Sequence, residues 1–112
     1  MAPCELVWTS FSDNAKYISA SSQGTEADPR FHPTQKPVTL YEELLRYFAQ
    51  PGDKILDTHA GSASCAVDCI KKGFDWMAFE INAAYYEKAK ERIERTRQEA
   101  ESERAQIRME GV

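Results

Sequence analysis

The apolar positions along this chain switch between helical and strand periods, and each switch marks an element. Leu40, Tyr41, Leu44, Leu45 and Phe48 fall at i, i+1, i+4, i+5 and i+8, one stripe of an amphipathic helix that ends before Pro51-Gly52. The short run Ile55-Leu56 shows no alternation and closes on Asp57, so it is expected as a buried strand of a parallel sheet. From Ser62 to Lys72 the helical period returns, with Cys65, Ala66, Cys69 and Ile70 inward. Gly73 suits the left-handed position just past a helix end. Asp75 to Ile81 carries a second apolar run and reads as a strand. Beyond it, Ala83 to about Met109 is helical in propensity, with Tyr86, Ala89 and Ile93 spaced to touch a core. After Thr96 the run Arg97-Gln-Glu-Ala-Glu-Ser-Glu-Arg104 has almost no apolar face, so the last turns are expected to be exposed, frayed or paired with another chain.

Upstream of Leu40 the pattern is weaker. Glu5-Leu-Val-Trp-Thr-Ser-Phe11 and Lys16-Tyr-Ile-Ser19 are rich in β-branched and aromatic residues and are separated by Ser-Asp-Asn, which predicts a hairpin over residues 1–20. A polar stretch without period follows and predicts a mobile loop over residues 21–31. The whole is an α/β chain with a mostly parallel sheet, flanking helices and an N-terminal hairpin. Its core lies in residues 32–96 and an exposed helical tail in 97–112.

Composition narrows the field. The 112 residues form one domain with a thin core. At 42% hydrophobic and 29% charged residues the make-up is that of a globular protein, and no apolar run approaches the roughly 20 residues of a membrane span. Nothing at the N-terminus reads as a signal peptide, so a cytoplasmic protein is expected. A net charge of −4 argues against holding nucleic acid by bulk phosphate neutralisation. Cys65 and Cys69 at helical spacing, with Cys4 distant, fit reduced core thiols, and two scattered histidines complete no metal-ligand pattern.

Two stretches carry candidate chemistry. Asp53-Lys-Ile-Leu-Asp-Thr-His-Ala-Gly-Ser-Ala-Ser64 runs a strand into a glycine turn and then a helix, where backbone can approach a polar ligand at the helix N-terminus. Glu80, 23 residues beyond Asp57, ends the second strand, where a carboxylate can accept hydrogen bonds from ribose hydroxyls. The second stretch is His32-Pro-Thr-Gln-Lys-Pro37. Its prolines hold His32 and Lys36 extended, leaving Thr34 and Gln35 to face a polar ligand and Lys36 to meet a carboxylate.

Taken together, His32-Pro-Thr-Gln-Lys-Pro37, Lys54 to Ser64, Phe79-Glu-Ile81 and Tyr85-Tyr86 resemble the C-terminal half of DNA methyltransferases that modify the exocyclic amine of adenine or cytosine, from roughly Cys4 to Arg95. In the permuted order of one class of these enzymes the His-Pro-Thr-Gln-Lys-Pro segment precedes the glycine turn. The resemblance implies a partial Rossmann-like methyltransferase fold that binds S-adenosylmethionine. Thr34, Gln35 and Lys36 with Asp57, Gly61 and Ser62 would hold its methionine end, Thr58, His59 and Ser64 belong to the same turn, and Glu80 would take the ribose hydroxyls.

Two departures from the family stand out. Ala63 replaces a second glycine, and if that position needs φ > 0 its Cβ costs about 1–2 kcal/mol. Borne by the bound state, that is roughly a tenfold or greater loss of affinity. The second departure is the absence of any Pro-Pro dipeptide, the element with which these enzymes place the target amine of a flipped base. In the permuted order it would lie upstream of Met1, so no catalytic residue is assigned. The expected function is that of an S-adenosylmethionine-binding module, inactive alone or one half of a split enzyme. It would be a homodimer or bound to a chain that supplies the catalytic half, and would meet DNA only through that partner. The alternative is an interaction protein that kept the fold and lost the cofactor.

Overall fold

Pro37, extended at φ −70° and ψ 147°, sets the start of helix α1 (Val38–Phe48), and its carbonyl accepts from the Leu40 amide at 3.1 Å. The helix stops at Ala49, and the chain reverses at Pro51-Gly52, where φ of +90° at Gly52 is open to glycine without strain. Gln50 and Asp53 close that turn on each other through Asp53 N–H to Gln50 O (3.0 Å) and Gln50 N–H to the Asp53 carboxylate (2.8 Å). Strand β1 (Lys54–Asp57), helix α2 (Ser64–Lys72), strand β2 (Asp75–Ala78) and helix α3 (Ala83–Glu110) follow. This computed structural model describes residues 5–21, 24, 26 and 28–111.

β1 and β2 pair in parallel with Ile55 opposite Trp76 and Leu56 opposite Met77, so α2 is the crossover of a β-α-β unit. It ends as expected at Gly73, left-handed at φ 80°. α2 packs against both strands on one face and against α1 and α3 at its sides, which makes it the centre of the molecule. The buried cluster is small: Ala63, Ala66 and Ala89, with Trp76 and Ile93 packed on it. Cys65 and Cys69 are free thiols buried on α2, and the neighbouring Cys69 together with burial pushes the Cys65 thiol up. Among the described residues no helix is long and apolar enough to cross a membrane.

Three expectations are corrected. The strand of Ile55 and Leu56 is covered on one face only: exposure alternates along it, and Leu56 and Met77 are 61% and 60% exposed. A two-stranded sheet with helices on one side leaves every second side chain in solvent. The hairpin is absent as well, since residues 5–20 form no strand and neither run pairs with β1. Their strand preference finds no ladder, because such preference reflects packing against neighbours. Instead the segment lies against α1, with Phe11 stacked on Phe48 at 4.9 Å and Lys16 over the Tyr47 ring, while Trp8 is 93% exposed. The third correction is on α3, where Tyr86 faces outward and Tyr85 turns in to meet His32.

Within residues 21–31, positions 22, 23, 25 and 27 lie outside the described residues, as does Cys4. The described Asp28 is anchored on α3 by Arg92 and Arg95. α3 runs for 28 residues, about 42 Å at helical rise, and its turns beyond Thr96 are largely exposed.

Candidate functional site

Strand-to-helix connections at the carboxyl ends of β1 and β2 converge on one cleft. β1 ends at Asp57, whose carboxylate accepts the His59 amide at 3.1 Å and starts the turn. The chain then passes through Gly61 at φ +55° and Ala63 at φ 67° before α2 begins. Ladder pairing ends at Ala78, three residues short of the expected Ile81, yet Phe79 N–H still donates to Asp57 O (3.0 Å) and Phe79 O accepts from Ala60 (2.8 Å). That contact brings Glu80 against the turn. One Glu80 oxygen accepts the Gly61 amide at 2.8 Å and the other the Asn82 amide at 2.8 Å. The Asn82 and Gly61 amides hold the Glu80 carboxyl below the usual carboxylate range, so it is charged at neutral pH.

The cleft has a volume of about 260 Å³ and is lined by His32, Thr34, Lys36, Tyr41 and the residues from His59 to Ser64 other than Ala63, with Glu80 across from them. Of the residues expected at the site, Thr34, Lys36, His59, Gly61, Ser62, Ser64 and Glu80 meet there. Gln35, Asp57 and Thr58 do not line it. Gln35 is buried and braces the hexapeptide, its side-chain oxygen accepting the Phe31 amide and its own amide donating to His32 O. Asp57 and Thr58 shape the turn, with the Thr58 hydroxyl 2.9 Å from Nδ1 of His59. Lys36 faces the cleft with its ammonium 2.5 Å from the Glu5 carboxylate, and its carbonyl accepts from the Ser64 hydroxyl at 2.6 Å. That last bond joins hexapeptide to turn.

Three residues that the sequence did not single out take part. His32 and Tyr41 line the cleft, and burial, with the charge of Asp57, pushes the Tyr41 phenol up to about 12, leaving it a neutral donor. Arg92, only 3% exposed, lies under the turn. One guanidinium nitrogen donates to Ser62 O and to the Ser64 hydroxyl at 2.9 Å each, while the other two grip the Asp28 carboxylate at 2.9 and 2.6 Å. A signal existed for it: Arg92 shares the inward stripe of Ala89, Ile93 and Thr96, where a charged residue needs a buried partner.

Chemically the cleft offers one carboxylate, one ammonium, two imidazoles and several hydroxyls around a glycine turn. The N-cap of α2 is Ala63, which has no side-chain acceptor for the first-turn amides. Such a set offers partners for a polar group that carries both hydroxyls and charge. Among the described residues no three His, Cys, Asp or Glu side chains converge for a metal ion.

The model of the N6/N4 DNA methylase family matches residues 2–91. The chain belongs to that family. Over 63 residues it is 38% identical to the type II methyltransferase M.HpaI of Haemophilus parainfluenzae, a match covering 56% of this chain and 20% of that protein. It is 35% identical over 63 residues to the DNA adenine methyltransferase YhdJ of Escherichia coli, covering 56% of this chain and 21% of that protein. A third relative, the type II methyltransferase M1.MboII of Moraxella bovis, is 34% identical over 58 residues, covering 52% of this chain and 22% of that protein. The chain thus matches about a fifth of the length of these relatives. No solved structure matches it.

Proposed function

We propose that this chain is the S-adenosylmethionine-holding part of a DNA amino-methyltransferase, with amine placement supplied by sequence outside these 112 residues. The observation that carries the reading is the pair of Glu80 bonds to Gly61 and Asn82, which fixes a charged carboxylate across the cleft from Thr34, Lys36 and Ser62. Each Glu80 oxygen keeps a second lone pair for a ribose hydroxyl. Thr34 and Lys36 would meet the amino-acid end, where a ligand carboxylate exchanges with Glu5 on the Lys36 ammonium. When bound, S-adenosylmethionine supplies an activated methyl group; the residues of this chain orient it. The donor set fits that group.

The sequence has no Pro-Pro element, so these residues alone transfer no methyl group to DNA. Contact with DNA would come through the catalytic half. The free edge of β1 and the uncovered face of Leu56 and Met77 give that half, or a second copy of this chain, a place to dock. On this reading the protein is an assembly in the cytoplasm.

The rival reading, an interaction protein that kept the fold and lost the cofactor, would meet its partner through the long charged helix and the exposed sheet edge. Ala63 stands left-handed at φ 67° in the fold, so on our reading the strain of its Cβ falls on folding rather than on affinity. Calorimetry with S-adenosylmethionine and its demethylated product tests the proposal. Wild type should bind at about millimolar concentration or tighter, and Glu80→Ala should weaken binding at least about tenfold. No heat at millimolar ligand, or unchanged affinity in the variant, would count against it.

A further inference from the structure

Two donors converge on one lone pair at the rim of the cleft. The Thr34 backbone amide donates to Nδ1 of His32 at 3.1 Å, and the Thr34 hydroxyl lies 3.1 Å from the same nitrogen. A ring nitrogen that accepts an N–H carries no proton, so the ring is neutral with its proton on Nε2. The ring is also held in place. It packs at a tilt against Tyr85, with centroids 4.2 Å apart and planes 49° apart, and its Nε2 edge faces Gly61, where an added Cβ would sit 3.6 Å away. The His32 carbonyl accepts from the Gln35 amide and from Nε of Arg30.

We infer that neutral His32 is the positioning residue of the cleft, holding Thr34 so that its hydroxyl oxygen accepts from the ammonium of the ligand, and that a proton on the ring releases this hold. The inference rests on the cofactor reading above. A proton on Nδ1 makes that atom a donor. The Thr34 amide then faces another N–H and loses its acceptor, while the Thr34 oxygen turns to accept from the ring. The new positive charge at the rim also opposes a cationic sulfonium ligand. Facing the ring are Tyr85, Glu80 and the glycine turn, and Lys36, Tyr41 and His59 line the same cleft. Glu80, held below its usual range, and Tyr41, pushed up to about 12, keep their charge states through the pH range of the test below. His59 is the other imidazole of the cleft, and substitution separates the two.

The test follows the Thr34 amide by 15N-resolved NMR and S-adenosylmethionine affinity by calorimetry, each from about pH 8 to about pH 5.5. In the wild-type chain the amide should shift through this range without ligand, and affinity should fall about tenfold, with a smaller fall for the uncharged thioether product. His32→Asn puts an acceptor that cannot titrate near the place of Nδ1. Against its own affinity near pH 8, it should abolish both pH responses. His59→Asn should keep both. A Thr34 amide that does not move, or a pH loss unchanged in His32→Asn, overturns the inference, and the first result needs no variant to fold. Absence of binding near pH 8 in wild type overturns the cofactor reading and the ligand part of this inference with it. The amide titration, which uses no ligand, then decides the His32–Thr34 linkage alone.

Discussion

At the carboxyl ends of β1 and β2, backbone and side chains close hydrogen bonds on one another from Gly61 to Glu80, from Ser64 to Lys36 and from Arg92 to Ser62 and Asp28. On the outer face of the same two strands, Leu56 and Met77 stand 61% and 60% exposed, with no helix or strand of the described chain across from them. The first region is finished by local wiring: amides, carbonyls and short polar side chains within reach of one turn. The second is apolar and asks for a surface from elsewhere. This teaches that a polar cleft can be wired together across the hexapeptide, the β-α-β turn and α3 while the sheet beneath it keeps an open face.

The strongest way to break the comparison is to cut the wiring from below. Arg92→Met removes a buried guanidinium and leaves the Asp28 carboxylate without two of its bonds and the Ser62 carbonyl without its donor. Asp28 is 35% exposed and keeps Arg95, so the cost is that of unsatisfied hydrogen bonds, about 1–3 kcal/mol, and urea denaturation should show a loss of that size. A loss below about 1 kcal/mol would mean that the turn stands without its support.

Asp68 sharpens the contrast, because it is a buried polar group outside the wired region. It is fully buried on α2, one of its oxygens has no partner among the described residues, and Lys72 reaches the other only at 3.4 Å. Burial raises its carboxyl above the ordinary value, against the weaker pull of Lys72. A carboxyl raised in the folded state stabilises below its unfolded pKa and loses that contribution as the pH rises through the folded one. The stability of Asp68→Asn relative to wild type in thermal melts should therefore rise as the pH goes from about 4 to about 8. An unchanged difference across that range would show the carboxylate to be well accommodated.

Smaller effects are expected at the turn and on the open face. Ala63→Gly relieves about 1–2 kcal/mol of left-handed strain but removes a buried methyl worth about 0.8 kcal/mol, so stability should stay within about 1 kcal/mol of wild type, with ligand affinity unchanged. A tenfold change in affinity would return the strain to the bound state. Leu56→Thr with Met77→Thr should move monomer stability by less than about 0.5 kcal/mol, yet weaken any self-association seen by sedimentation equilibrium. Equal sedimentation of both proteins at every concentration would leave the outer face without a role in pairing.

Both regions were legible in the sequence to different depths. Helix α1, the β-α-β order and the Gly73 stop follow from periodicity and turn residues, which are local signals, whereas the meeting of Thr34, Lys36, Ser62 and Glu80 was implied by the family resemblance. Gln35 was misread because a hexapeptide held extended by its prolines does not reveal which side chain turns inward to satisfy a backbone amide. Arg92 was missed because its partners lie 28 to 64 residues away, beyond any local pattern. The hairpin expected over residues 1–20, of which 5–20 are described, and the burial of Leu56 failed for one shared reason. Apolar and β-branched runs state a preference for contact, and the element that would satisfy it is not among the described residues.

The most direct test of the central claim is a 15N-resolved titration of the intact chain with S-adenosylmethionine near neutral pH, following backbone amides on both regions at once. The account predicts progressive shifts at Thr34, Gly61, Ser62, Ser64 and Asn82, which surround the cleft and its Glu80 carboxylate, with the amides of Leu56 and Met77 little changed. Shifts confined to the strand face, or none at millimolar ligand, would contradict it.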